Sequence, residues 1–243
     1  MTKSLRALLA LAVLCFGVAA AGGCGPQTGR RANWPCSGCI TYVPPTYNSA
    51  HPTTVMVALH GDEGDPSYIE SVWEPVAKAN NAILIAPKCP ANLGCPGSWW
   101  GWLQGSTYND AWIGTQVATV AKSYRLDTKH EFLTGWSGGA DFMGWYALQH
   151  ASQFRAAGFV VGGVPYHPSC PSAKQAAYFL MGSNDFRYLS GQPSQVQSIY
   201  AGCGDSAPLV VVPGADHQGT VDALTTQGYA TTMMNYFIAQ SKT

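Results

Sequence analysis

Charge is scarce in this chain. Its 243 residues carry 13 Lys and Arg against 13 Asp and Glu, for a formal net charge of zero. No basic or acidic field is therefore present to draw in nucleic acid or an acidic substrate. Paired metal-ligand motifs are also missing. Cys36-Ser37-Gly38-Cys39 has ligand-like spacing, but no second C-x-x-C and no H-x-x-x-H run completes a site. The expectation is no metal and no cofactor. No internal repeat or second domain is visible, and the length fits one domain with a substantial core.

The N-terminal apolar run, Ala7 to Ala21, follows the short basic start Thr2-Lys3-Ser4-Leu5-Arg6. It is too short and too early for a membrane span that stays, and residues 1–23 read as an export signal. Cleavage after Ala21 would release a soluble protein. Cleavage before Cys24 would leave a lipid-modified cysteine, since Ala21-Gly22-Gly23-Cys24 resembles a bacterial lipobox with Ala21 where Leu is usual. The expected location is secreted or cell envelope, with membrane contact only through such an anchor. Residues 24–36, rich in turn formers and without apolar period, read as a tether. Residues 37–243 form the folded domain, expected to be a monomer.

Six cysteines lie beyond Cys24: Cys36, Cys39, Cys89, Cys95, Cys170 and Cys203. An even set in an exported chain reads as disulfides. Sequence leaves the pairing open; the local one is Cys36–Cys39, Cys89–Cys95 and Cys170–Cys203. Eight tryptophans and twelve tyrosines suit an aromatic-lined binding surface, with core packing as the plainer use.

Along the domain, Ile40 to Val43 reads as an outer strand stopped by Pro44-Pro45, and Thr54 to Leu59 as a strand buried on both faces. Helical spacing is visible over Ser67 to Lys78 and Asn109 to Tyr124. Further strands are expected at Ala82 to Ala86, His130 to Leu133, Ala157 to Val161, Ala177 to Met181 and Leu209 to Val212. A final helix carries Tyr229, Met233, Tyr236 and Phe237 inward. This alternation predicts an α/β fold, a mainly parallel sheet with helices on both faces. Ligands of such sheets bind beyond the carboxyl ends of the strands.

Four loops fall at that edge. Thr134-Gly135-Trp136-Ser137-Gly138-Gly139 has the spacing of a tight strand-to-helix turn that exposes the Ser137 hydroxyl, with the Gly138 N–H aimed at the same point. Asp185 follows the strand ending at Met181, and His217 follows the strand ending at Val212. In the order Ser137, Asp185, His217 these residues suit acyl transfer, with His217 as base and Asp185 as its orienting acid. Asp185 could alternatively cap the following segment. Asp205 and Asp216 are its competitors, and Asp216 is too close to His217 to orient it. His60-Gly61-Asp62 offers the second oxyanion donor, the N–H of Gly61 or Asp62, with the His60 ring packing the loop. His51, His130, His150 and His167 have no comparable placement.

Gly97-Ser98-Trp99-Trp100-Gly101-Trp102, Asn109-Asp110, Tyr124-Arg125-Leu126-Asp127 and the serine turn run in an order that resembles the polyhydroxybutyrate depolymerase and feruloyl esterase branch of the α/β-hydrolases, from about Ile40 onward. Trp100 and Trp102 match the two tryptophans of the family's segment, but Trp99 stands where its cysteine is usual. Gln218-Gly219 replaces the Trp-Pro-Gly run that often follows the family's histidine. The resemblance implies the α/β-hydrolase fold and a serine esterase acting on acyl esters of plant polysaccharides or on polyesters. Trp99, Trp100 and Trp102 read as part of a glycine-rich loop, with two of the three rings packed over the core and one left to stack on a sugar or aromatic acyl group; the candidate substrate contacts are Trp100, Trp102, Trp136 and His60. A serine peptidase on the same scaffold lacks support from any propeller-like domain or amine-binding acidic pair. A non-catalytic carbohydrate-binding protein is the reading from another class.

Overall fold

The computed structural model describes residues 26–167 and 169–240. The expected export signal and the lipidation candidate Cys24 lie outside the described residues. The strands are β1 (Gly29–Ala32), β2 (Ile40–Val43), β3 (Thr53–Leu59), β4 (Ile83–Ala86), β5 (Leu126–Trp136), β6 (Ala156–Val160), β7 (Ala176–Gly182) and β8 (Leu209–Val212). They form one sheet in the order β1-β2-β4-β3-β5-β6-β7-β8. β1 and β2 are antiparallel to their neighbours, and every pairing from β4 to β8 is parallel. The helices are α1 (Pro66–Ala79), α2 (Trp99–Leu103), α3 (Trp112–Ala121), α4 (Gly138–Gln149), α5 (Phe186–Leu189), α6 (Gln192–Gly202), α7 (His217–Thr226) and α8 (Tyr229–Gln240).

Strand pleating divides the core into two layers. In β3, Val55, Val57 and Leu59 pack with Trp99, Ile113, Phe142 and Tyr200 from α2, α3, α4 and α6. Met56 and Ala58 point the other way, toward Ile69 and Trp73 of α1, Leu224 of α7 and Met233 and Phe237 of α8. Burial on both faces explains why β3 reads as an uninterrupted apolar run. α1 begins where Asp65 accepts the N–H of Ser67 and Pro66 takes the first helical position, a start that leaves few donors unpaired. No helix among the described residues is long and apolar enough to cross a membrane.

Three expectations need correction. The tether is not loose throughout, because Gly29 to Ala32 form the edge strand of the sheet. Behind this edge, Tyr124 donates its hydroxyl to the Gln27 carbonyl, and Trp34 meets the Tyr124 ring edge-on. Its polar, glycine-containing sequence hides a strand whose register comes from the β2 backbone. β2 is therefore second from the edge, with all four residues buried. The tryptophan-rich stretch is not a loop but helix α2, started by Ser98, whose Oγ accepts from the Gly101 N–H. The disulfides join Cys36 to Cys39, Cys89 to Cys95 and Cys170 to Cys203.

Candidate active site

The central turn sits where β5 ends. A β-carbon at Gly135 would fall 2.7 Å from the Gly139 carbonyl carbon, and one at Gly139 would fall 2.6 Å from the His60 carbonyl oxygen. Strand and helix thus approach too closely for side chains at either position. Ser137 itself has φ 53° and ψ −119°, a strained backbone for a residue with a side chain. The Ser137 N–H is held by the Val160 carbonyl at 3.0 Å, so the sheet fixes the turn that presents the hydroxyl.

Asp185 and His217 arrive from the ends of β7 and β8. The Ser137 hydroxyl donates to His217 Nε2 over 2.9 Å, and His217 Nδ1–H donates to Asp185 Oδ2 over 2.5 Å. The Asp185 side chain is fully buried, and His217 is partly open to solvent. Asp185 Oδ1 meanwhile accepts from the N–H groups of Arg187 and Tyr188. Capping and orienting, alternatives on the sequence, are thus both performed by one carboxylate. The competitors are occupied elsewhere: Asp216 caps α7 through the Gly219 N–H, and Asp205 faces Lys174. His130 pairs with Asp127 and His150 with Asp110, away from the turn.

The loop after β3 closes the other side. A β-carbon at Gly61 would lie 3.4 Å from the Ser137 β-carbon, and Asp62 lies over the Gly138 backbone. Among the described residues, the N–H groups of Gly61, Asp62 and Gly138 have no backbone acceptor. Donors left free beside a serine oxygen can receive a developing oxyanion. His60 holds this loop from beneath. Its Nδ1–H donates to the Gly61 carbonyl at 2.7 Å, and its Nε2 accepts from the Cys89 N–H at 3.1 Å. Burial lowers its pKa, opposed by the bond to Gly61. A neutral ring with both nitrogens engaged cannot be a base here.

Of the expected substrate contacts, His60 and Trp102 are 0% exposed and present no surface to a ligand. Trp102 instead donates its indole N–H to the Leu93 carbonyl and packs against Trp112. Trp99, in the place of the family's cysteine, is equally buried among His60, Trp112 and Phe142. Trp100 is half-buried on α2. Trp136 does reach the site, 6.1 Å from the His217 ring and 5.1 Å from Tyr68.

Other neighbours carried no signal in the sequence. Phe186 is 62% exposed with its ring 5.1 Å from that of His217, and Leu189 beside it is 70% exposed. Gln218 donates to the Tyr68 hydroxyl at 2.8 Å. Phe186 of α5, Gln218 of α7 and Tyr68 of α1 come to the site from three helices far apart along the chain.

No family model matches the chain. A bifunctional acetylxylan esterase/xylanase from Neocallimastix patriciarum is 26% identical over 140 residues, 57% of this chain and 20% of that protein. The match therefore spans about a fifth of the relative's length. A CE1 ferulic acid esterase from Anaeromyces mucronatus superposes with a TM-score of 0.64 at 15% identity, over 81% of this chain and 84% of that one. A poly(3-hydroxybutyrate) depolymerase from Bordetella parapertussis gives a TM-score of 0.59 at 17% identity, over 83% and 90%. The chain has the α/β-hydrolase fold. The hydrolase sheet places Ser137, Asp185 and His217 in chain order at the carboxyl ends of β5, β7 and β8, at the edge where this fold carries its polar groups.

Proposed function

We propose that this hydrolase-fold chain is an exported serine carboxylic-ester hydrolase acting through an acyl-enzyme. Its substrates are feruloyl or acetyl esters of plant polysaccharides, or polyhydroxyalkanoate-type polyesters. The observation that carries the reading is the continuous relay from the Ser137 hydroxyl through His217 to the buried Asp185. A lone serine in a glycine-rich turn would be unremarkable, whereas one donating to a histidine held in a fixed tautomer is a nucleophile with its base.

In this reading Ser137 Oγ attacks the ester carbonyl carbon as His217 Nε2 takes the hydroxyl proton. The oxyanion forms against the N–H of Gly138 and the N–H of Gly61 or Asp62. The imidazolium, stabilised by Asp185, then protonates the departing alkoxide, leaving an ester on Ser137. Water repeats the sequence on the acyl-enzyme, its proton passing to His217, and the acid is released as Ser137 Oγ regains a proton. The names of the similar proteins support the ester class, and three disulfides support an oxidising compartment outside the cytoplasm.

A fluorophosphonate probe should label the protein at Ser137 and fail to label Ser137→Ala; absence of labelling in the natural chain would point to a non-catalytic binding protein. A short p-nitrophenyl ester should turn over while a peptide anilide does not, and His217→Ala should abolish turnover. Methyl ferulate, acetylated xylan and short polyhydroxybutyrate oligomers, assayed side by side, identify the acyl group. Mass spectrometry of the mature N-terminus distinguishes a lipidated Cys24 from cleavage after Ala21.

A further inference from the structure

Arg187 lies two residues beyond Asp185, and its role is not set by the relay. Its guanidinium reaches two carboxylates on two other segments. Nη1 pairs with Asp141 Oδ2 on α4, and Nη2 lies 3.8 Å from Asp62 Oδ2 on the loop after β3. Asp141 is itself fixed, its other oxygen accepting from the Gly163 N–H at 2.9 Å and its own N–H bonded to the Ser137 carbonyl at 2.8 Å. One side chain thus joins the loop holding the acid, the helix following the nucleophile and the loop offering the second oxyanion donor.

The position of Asp62 gives this link its chemical weight. A β-carbon at Gly138 would fall 1.8 Å from Asp62 Oδ1, so the carboxylate occupies the space that a side chain on Gly138 would fill. A negative group consequently lies against the residue whose N–H is to stabilise the oxyanion. Uncompensated, that charge opposes the negative charge growing on the substrate oxygen. A guanidinium suits the task because its planar fork serves two carboxylates and keeps its proton even when partly buried.

We infer that Arg187 is a positioning residue of the oxyanion site, its one positive charge, shared with Asp141, drawing the Asp62 carboxylate toward it and offsetting part of that carboxylate's charge while the tetrahedral intermediate forms. The inference rests on the ester-hydrolase reading above. Its test begins with turnover of p-nitrophenyl acetate by the natural chain, and no turnover there would reject that underlying reading instead.

With the natural chain active, Arg187→Gln should lower kcat by about tenfold or more while KM stays within about threefold, as expected for a group acting on transition-state charge. The double variant Asp62→Asn with Arg187→Gln should recover kcat by about threefold or more over the single variant, because the charge needing neutralisation has gone. A merely structural Arg187 predicts no such recovery. A folded Arg187→Gln with natural kcat, or a double variant no faster than the single one, overturns the inference. If Arg187→Gln does not fold, Arg187→Lys decides. It keeps the charge but loses the fork, so a folded, measurably slower enzyme with unchanged KM supports the role, and natural kcat rejects it.

Discussion

One oxygen of the Asp185 carboxylate lies 2.5 Å from His217 Nδ1, and the other receives the N–H groups of Arg187 and Tyr188, the second and third residues of α5. The two functions can be separated by substitution. In Asp185→Asn the carbonyl oxygen can keep the cap, but the amide presents N–H to Nδ1 and forces the imidazole into the wrong tautomer. Such a change lowers kcat by roughly 10⁴-fold in a related relay on another fold. A similar loss is expected here, with the melting temperature little changed. Asp185→Ala should lose activity and, in addition, about 1 kcal/mol of stability from the missing cap. Steady-state kinetics and thermal melts of the two variants make the comparison. Equal melting temperatures for Asn and Ala would show that the cap contributes nothing.

Glu131 gives a pH-dependent prediction far from the site. It is 5% exposed in β5, and Oε2 accepts from Gln153 Nε2 at 3.2 Å. Burial raises its pKa above the ordinary 4.5, opposed by the Gln153 bond, with Asp127 adding to the rise. The folded protein then holds this proton more tightly than the unfolded chain does. Stability from this group is therefore present at low pH and lost as pH climbs above 4.5. Glu131→Gln removes the loss. It should raise the melting temperature relative to the natural chain at pH 7, and by clearly less at pH 4. An equal difference at both pH values would assign the effect to packing rather than charge.

His60 has the opposite sign. Its pKa is lowered first by burial, so the unfolded chain binds the proton more readily than the folded one. Its contribution is present above 6.5 and disappears as pH falls through the lowered folded value. His60→Gln has a donor and an acceptor but does not titrate. The variant should flatten the part of the stability–pH curve below 6.5, as measured by denaturant titration at several pH values. His60→Ala leaves the buried Cys89 N–H without its acceptor, which costs about 1–3 kcal/mol. It also frees the Gly61 loop, so kcat should fall in parallel. Full activity in His60→Ala would mean that the loop holds its shape without the ring.

These residues mark where the sequence is legible and where it is not. The buried strand β3 and the turn around Ser137 carry local signals: continuous apolar residues in one, and glycines demanded by close approach in the other. Asp185 and His217 are marked by their place just past two apolar strands. The edge strand β1 carries no such mark, because its pairing is set by the backbone of β2 rather than by its own side chains. His60 and Trp102 look like contact residues on the chain, yet His60 is covered by Trp99 of α2 and Trp102 is turned inward against Trp112 of α3, both long-range events. Arg187 and Phe186 are ordinary residues in sequence. Their neighbours Asp62, Asp141 and His217 come from segments remote along the chain.

Phe186 bears on what the site accepts. Its ring is 62% exposed and lies 5.1 Å from the ring of His217, the group that protonates the leaving group in the proposed reaction. Exposing an aromatic ring costs the free protein burial that a substrate can restore. An aromatic group stacked there gains about 0.5–1.5 kcal/mol beyond its buried area. Phe186→Ala should therefore raise KM for a bulky aromatic ester several-fold more than KM for p-nitrophenyl acetate. It leaves the Ser137–His217–Asp185 relay untouched, so kcat on the acetate ester should stay close to natural. Parallel rises in KM for both esters would mean that Phe186 shapes the His217 loop rather than the substrate. A fall in kcat on the small ester would place its role in holding the imidazole.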